Sequence, residues 1–253
     1  MKNTALAVCA TYGRLPYLGK MLSSFIHQTY DEKHLLIIND DKNIQLCCNR
    51  KDVSVINCDT RMKIGEKRNL GASFKHYDVI FPWDDDDIFF PNRIANHMKH
   101  YDDKDVRAYR NYSCYILYND TFAPDEGGIN NKSYRRDEWF SCGGYGDVGI
   151  VGEDLELHCK LQGFKLETND TERDFMYGFS TSNYHLSNQP NNLEQIAYRQ
   201  LEKMNLVDKK FWIEPDFEEY NKYLTLDCLF KRTKSSMKIK ILDDGKIDIS
   251  HLS

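Results

Sequence analysis

No apolar run in this 253-residue sequence approaches the roughly 18 consecutive residues that a membrane-spanning helix needs. Internal repeats and low-complexity tracts are also missing, which argues against a solenoid or a disordered linker. The short apolar run near the start breaks at Tyr12-Gly13-Arg14, too soon for a signal-peptide core, so it reads as a first core strand and no export signal is expected. The eight cysteines form no CxxC pair, and the adjacent Cys47-Cys48 has no counterpart elsewhere, which sets a structural zinc site aside. Cys9, Cys58, Cys114 and Cys159 lie in apolar or strand-like contexts, so reduced thiols and a cytoplasmic setting are the expectation. Nor is there an excess of positive charge. A formal net charge of -5 gives no global attraction to nucleic acid or anionic membrane, although local patches can still bind either.

What is present is enough apolar material for one elaborated domain. The runs ALAVCAT, HLLIIND, VSVINC and YDVIFPWD alternate with helical stretches near 16 to 29 and 65 to 76. That rhythm predicts an α/β fold with a mostly parallel sheet flanked by helices. Ligands of such sheets bind beyond the carboxyl ends of the strands, which selects Thr11 to Arg14, Asn39 to Asp41 and Asp84 to Asp87. Between 105 and 140 the pattern turns to short, Tyr-rich alternating segments, a smaller antiparallel sheet shaping the second substrate's pocket. Residues 1 to 188 are expected to form the main domain, 1 to 100 and 101 to 188 being its two halves. Residues 189 to 253 are read as a C-terminal extension of helices followed by a hairpin at Asp243-Asp244-Gly245.

The segment FPWDDDDIFFP sets four carboxylates directly after an apolar strand, where they cannot all ionise together unless solvent or a cation relieves the repulsion. Magnesium or manganese, which takes a few carboxylates plus phosphate oxygens, does so naturally and fits a diphosphate-linked donor. An acidic run is otherwise a solvated turn, but a Trp-ended strand before it and IFFPNRI after it favour the metal.

FPWDDDDIFFPNRI resembles the strand, Asp-x-Asp and following Pro of glycosyltransferase family 2, the inverting enzymes of GT-A fold. TYGR, IINDD, GEKRNLGAS and GGYGDVGIVGED follow in the family's order, so the resemblance covers most of residues 4 to 187. It implies a nucleotide-sugar donor held by Thr11, Tyr12, Arg14, Asp40 and Arg68, with Asp84 and Asp85 on the donor side. Asp85, the variable middle residue, has a structural role as its alternative, and Asp40-Asp41-Lys42 departs from the family's frequent Asp-Gly-Ser. The metal falls to Asp86 and Asp84, with His185 as a further ligand, and Mn2+ or Mg2+ is the implied cofactor. Glu153-Asp154 matches the family's Glu-Asp pair. Asp154 is then the general base that an acceptor hydroxyl requires, with Glu153 positioning the substrate or its loop. Trp139, rather than Trp83, is set aside for acceptor contact.

The expected activity is a metal-dependent inverting transfer of a hexosyl or pentosyl group to an acceptor hydroxyl, on a glycan, a lipid-linked sugar, a protein or a hydroxymethylated DNA base. The Lys-rich stretch Lys231 to Lys240 reads first as a solubilising edge strand, with phosphate contact as the alternative. Two other classes compete. A nucleotidyltransferase usually carries a glycine-rich loop after the first strand, whereas TYGRLP is poor in glycine. A non-catalytic sugar-nucleotide-binding module has no need to keep both Asp84-x-Asp86 and Asp154.

Overall fold

The computed structural model describes residues 2–118, 121–125, 131–146, 157, 160–161, 165–168, 172–179, 209–233, 239–241 and 247–248. The sheet expected from the apolar runs is present. Strand β1 (Ala5–Thr11) is its centre, parallel to β2 (Lys33–Asn39) on one side and to β5 (Val79–Pro82) on the other. Beyond β2 lies β4 (Val53–Asn57), also parallel. Beyond β5 come β10 (Lys132–Arg135) and β7 (Ala108–Asn111), running antiparallel, and then β11 (Lys165–Thr168), parallel to β7. All seven residues of β1 are buried, which is why its sequence is a continuous apolar run rather than an alternating one: both faces are covered.

The two faces carry separate cores. Ala5, Ala7 and Cys9 pack with Leu18, Leu22 and Phe25 of helix α1 (Leu15–Ile26), whose apolar residues recur at helical spacing behind Pro16 in the first turn. Leu6 and Val8 face Ala72 of α2 (Ile64–Ser73) together with Ile80, Trp139 and Tyr145. At Gly71 a Cβ would stand 2.3 Å from Val8 Cγ1, so the close approach of α2 to β1 requires glycine there.

A second sheet has the order β15-β14-β9-β8-β12-β6. It contains β6 (Ile88–Phe89), β8 (Cys114–Tyr118), β9 (Thr121–Asp125), β12 (Phe175–Phe179), β14 (Ile239–Ile241) and β15 (Ile247–Asp248). It is antiparallel as expected from the Tyr-rich segment, except where β12 runs parallel to β8. Helices α3 (Arg93–Met98) and α4 (Arg136–Ser141) are single short elements beside these strands.

The described C-terminal segments join the same packing. Strand β13 (Lys209–Trp212) runs parallel to β3 (Ile44–Cys47), a four-residue strand that the apolar runs do not reveal. Helix α5 (Phe217–Thr233) lies along α1: Asp216 N donates to Gly19 O at 3.0 Å, His27 packs against Phe217 and Tyr220, and the Tyr220 hydroxyl donates to Phe89 O at 2.7 Å. β14 and β15 pair antiparallel, while the turn expected at Asp243-Asp244-Gly245 lies outside the described residues. Of the Lys-rich stretch, Lys231 belongs to the last turn of α5 and pairs with Asp227 at 2.8 Å, and Ile239 and Lys240 belong to β14, which is paired on both sides, with β9 and with β15; residues 234 to 238 lie outside the described residues. No described helix is long and apolar enough to cross a membrane.

Candidate active site

The order of the main sheet reverses at β1, since β2 extends it one way and β5 the other. The carboxyl ends of β1, β2 and β5 therefore open on one crevice. Thr11 ends the first of these strands, Asn39 the second and Pro82 the third, with the acidic run just after it.

The four aspartates divide by position. Asp85 and Asp87 are buried, whereas Asp84 and Asp86 are partly open, at 18% and 16% side-chain exposure. The chain leaves the strand at Pro82 and bends at 85 to 87, so that two carboxylates two residues apart keep some exposure while the two beside them turn inward. Asp85 is held from behind by the Thr11 hydroxyl at 2.7 Å and by Arg14, through Nε at 3.0 Å and through a second contact from Nη2. Arg14 also donates through Nη1 to Asp86 Oδ2 at 3.0 Å. Burial works against its charge, but Asp86 and Asp84 outweigh burial and hold the guanidinium charged. Arg68 Nη2 donates to Asp84 Oδ1 at 2.8 Å. Asp84 and Asp86 are each braced by one arginine and lie toward solvent, while Asp85 anchors the first loop.

Asp40 lies at the other edge of the crevice. Its Oδ1 accepts from Arg61 Nη1 at 2.9 Å and Lys67 Nζ at 2.8 Å, and its Oδ2 from the backbone N–H of Met62 at 2.7 Å. Lys67 also donates to Thr11 O at 3.0 Å. Burial lowers the Lys67 ammonium to about 8, with Asp40 acting in the opposite direction. The Arg61 guanidinium stacks on the Tyr12 ring at 3.7 Å from its centroid. Neither Arg61 nor its stacking partnership is legible in the sequence, since Arg61 stands in a loop between Cys58 and α2 with no pattern around it.

Each residue of the Arg68-Asn69-x-Gly71 segment does a different job. Arg68 reaches Asp84, and Gly71 lets α2 approach β1. Asn69 Oδ1 accepts from Trp139 Nε1 and from the backbone N–H of Tyr145, both at 2.9 Å, and its Nδ2 donates to Tyr145 O at 2.9 Å. Gly144, at φ +64°, belongs to the same junction, where a Cβ would meet Asn69 Oδ1 at 2.5 Å. Trp139 is therefore not an acceptor contact. Its ring is buried edge-on against Tyr134 and Tyr145, and its indole N–H is satisfied by Asn69.

Deeper in, Asp87 Oδ1 accepts from the N–H of Gly178 at 3.0 Å, but its Oδ2 is buried without a partner. Burial first, then the neighbouring charges of Asp86 and Asp84, push this carboxyl well above the usual range. Gly178 has to be glycine here because a Cβ would lie 2.4 Å from Asp86 O. Arg93 is enclosed by Phe89, Trp83 and Phe81 and donates to Asn131 Oδ1 at 3.1 Å, and burial lowers its pKa to about 10.

Among the described residues no three metal-ligating side chains converge. The donor set nevertheless suits a hard divalent cation as far as it goes: two partly open carboxylates at i and i+2, a number that leaves the rest of the shell to phosphate oxygens and water. Glu153, Asp154 and His185, the remaining expected site residues, lie outside the described residues. Seven cysteines are described and all seven are free thiols. Cys9, under the crevice, is pushed up to about 12 by burial and by Asp84.

The family model of glycosyl transferase family 2 matches residues 7–143, more than half of the chain, from within β1 to the start of the glycine-rich loop. The chain belongs to glycosyltransferase family 2. Its fold agrees with solved family-like structures of GT-A type. A mannosyltransferase from Pyrobaculum calidifontis, solved with GDP-Man and Mn2+, aligns with a TM-score of 0.56 at 11% identity, over 74% of this chain and 60% of that one. S. aureus TarS 1-349, solved with UDP-GlcNAc, aligns with a TM-score of 0.58 at 12% identity, over 91% of this chain and 74% of that one. The family 2 chain described here therefore spans less than two thirds of the mannosyltransferase and about three quarters of the TarS fragment. No curated protein sequence matches it.

Proposed function

We propose that this family 2 glycosyltransferase moves a sugar from a nucleoside-diphosphate sugar to an acceptor hydroxyl, with inversion and with a divalent cation at Asp84 and Asp86. The observation that carries this reading is the division of the acidic run, in which only Asp84 and Asp86 face the crevice and each is braced by an arginine. The nucleotide-sugar complexes of the mannosyltransferase and TarS, the former with Mn2+, support the donor class and the cation.

In this reading the nucleoside lies over Tyr12, Asp40 and Arg61, and the diphosphate extends along the crevice toward Asp86. A bound cation supplies counter-charge to the departing diphosphate. Arg68 and Arg14 orient the two carboxylates and add fixed positive charge where the leaving group gathers its electron pair. The acceptor oxygen bonds to the anomeric carbon as the bond from that carbon to the diphosphate oxygen breaks. The acceptor's proton passes to a carboxylate, which the resemblance assigns to Asp154, with Glu153 positioning it. One such displacement inverts the configuration. His185 is proposed as a further ligand of the cation on the same resemblance.

The test is a donor panel including UDP-GlcNAc and GDP-Man, run with the purified chain with and without Mn2+ and read as nucleoside diphosphate release. Metal-dependent release from one donor is the expected result. Pyrophosphate release from a nucleoside triphosphate would instead make the chain a nucleotidyltransferase, and nucleotide-sugar binding without turnover would make it a binding module.

A further inference from the structure

Lys20 lies on α1, six residues after Arg14, and is only 9% exposed. Among the described residues its ammonium makes no hydrogen bond and no ion pair. It sits instead between two rings, 5.5 Å from the centroid of Tyr17 and 5.4 Å from that of Tyr223. Tyr223 comes from α5, which docks on α1 where Gly19 leaves no side chain in the way: a Cβ there would meet Asp216 Cβ at 3.0 Å and Glu214 O at 3.1 Å. Burial lowers the Lys20 pKa, and the charges that oppose this are, in order, Asp86, Glu219 and Asp87.

A largely enclosed ammonium gives up part of its hydration. Two π faces return only part of that loss. Asp86 does not close the gap by direct contact, since its Oδ2 is held by Arg14. An ammonium held between two rings, with no hydrogen bond or ion pair among the described residues, is poised for an anion brought by a ligand. Its position says which ligand. The cations expected on the nucleotide side, Arg61, Lys67 and Arg68, gather at Asp40 and Asp84. Lys20 lies at the opposite end of the run: it shares the Tyr17 ring with Arg14, the residue that holds Asp86, on the flank where α5 and β6 pack.

We propose that Lys20, flanked by Tyr17 and Tyr223, forms an anion subsite on the acceptor side of Asp86, and that the acceptor carries a phosphate group there. This rests on the donor reading given above. The shared chemistry is a phosphate next to a lysine used as a point charge, and the two possible sources are the acceptor and the donor's own diphosphate.

The experiment uses the intact chain with Mg2+, first titrated with UDP and GDP and then, saturated with whichever binds, with inorganic phosphate, both by calorimetry. The variants are Lys20→Met, Lys20→Gln and Lys20→Arg, each checked for folding by circular dichroism. The wild type is expected to bind one phosphate beside the nucleotide. Lys20→Met or Lys20→Gln should weaken phosphate binding at least tenfold and leave nucleotide affinity within twofold, and Lys20→Arg should restore most of the phosphate binding. Unchanged phosphate affinity in the neutral variants, or no phosphate binding by the wild type, overturns the subsite. A parallel loss of nucleotide affinity overturns the acceptor assignment and gives the cation to the donor. If neither nucleotide binds the wild type, the donor reading fails by itself, and the phosphate titration of the free chain still decides whether Lys20 holds an anion.

Discussion

The two flanks of the acidic run solve their electrostatics in opposite ways. On the nucleotide flank Asp40, Asp84, Asp85 and Asp86 each touch a cation at 3.0 Å or closer. On the other flank Asp87 Oδ2 and Arg93 Nη1 are buried without partners, and the Lys20 ammonium has two tyrosine rings beside it but no hydrogen bond or ion pair among the described residues. The first flank is neutralised within the chain, so it folds ready-made, and a donor has only to exchange one set of partners for another. The second flank retains a desolvation cost that ring contacts and single hydrogen bonds offset only in part, and that remainder is what a second ligand would relieve.

The comparison breaks most visibly if the internal pairs are opened. Arg14→Met strands the buried Asp85 carboxylate and is expected to lower unfolding stability by about 3 to 5 kcal/mol in urea titrations. Adding Asp85→Asn should recover part of the loss, and no recovery would mean that Arg14 stabilises by packing alone. Asp86→Asn is expected to leave the fold intact and to cut nucleoside diphosphate release by about a hundredfold or more, about 3 kcal/mol in barrier. An active Asp86→Asn enzyme would move the reaction centre away from this run. Gly71→Ala forces a methyl group onto Val8 and should cost about 1 to 3 kcal/mol, partly recovered by Val8→Ala.

Titration sharpens the contrast on a smaller scale. Because Lys67 falls from 10.5 to about 8 on folding, the unfolded chain binds more protons between those values, and stability rises with pH across that window. Measured against Lys67→Met, the wild type is expected to gain about 1 kcal/mol from pH 8 to pH 9. Arg50→Ala sets the floor. Its pair with Asp52 has both side chains largely in water, and the change should move stability by about 0.5 kcal/mol or less.

The sheet was legible because buried parallel strands write themselves as unbroken apolar runs, and ALAVCAT coincides with β1 residue for residue. IQLC escaped notice. As β3 it is four residues long, and its pairing partner β13 begins more than 160 residues later, so no local pattern announces it. In the site, the acidic run and Arg68 stood out by type and spacing. The Asp-x-Asp resemblance singled out Asp84 and Asp86, but not what draws Asp85 and Asp87 inward, since the chain bends at 85 to 87 and their partners Thr11, Arg14 and Gly178 lie far off in sequence. Lys20 was hidden for a related reason. The helical period of α1 marks Leu15, Leu18, Leu22 and Phe25 as core, and Lys20 becomes buried only because α5 covers it.

Asn69 joins two parts of the enzyme by three hydrogen bonds from one amide, to the indole of Trp139 and to both backbone polar groups of Tyr145. Arg68 is its immediate neighbour on α2. The loop at residues 142 to 146 and the arginine that braces Asp84 are thereby geared together: the loop cannot be displaced without either breaking the amide junction or turning the first half of α2. A change made in the glycine-rich loop to alter acceptor choice is for that reason expected to be felt in donor affinity as well, and Asn69→Ala is the substitution that would uncouple the two.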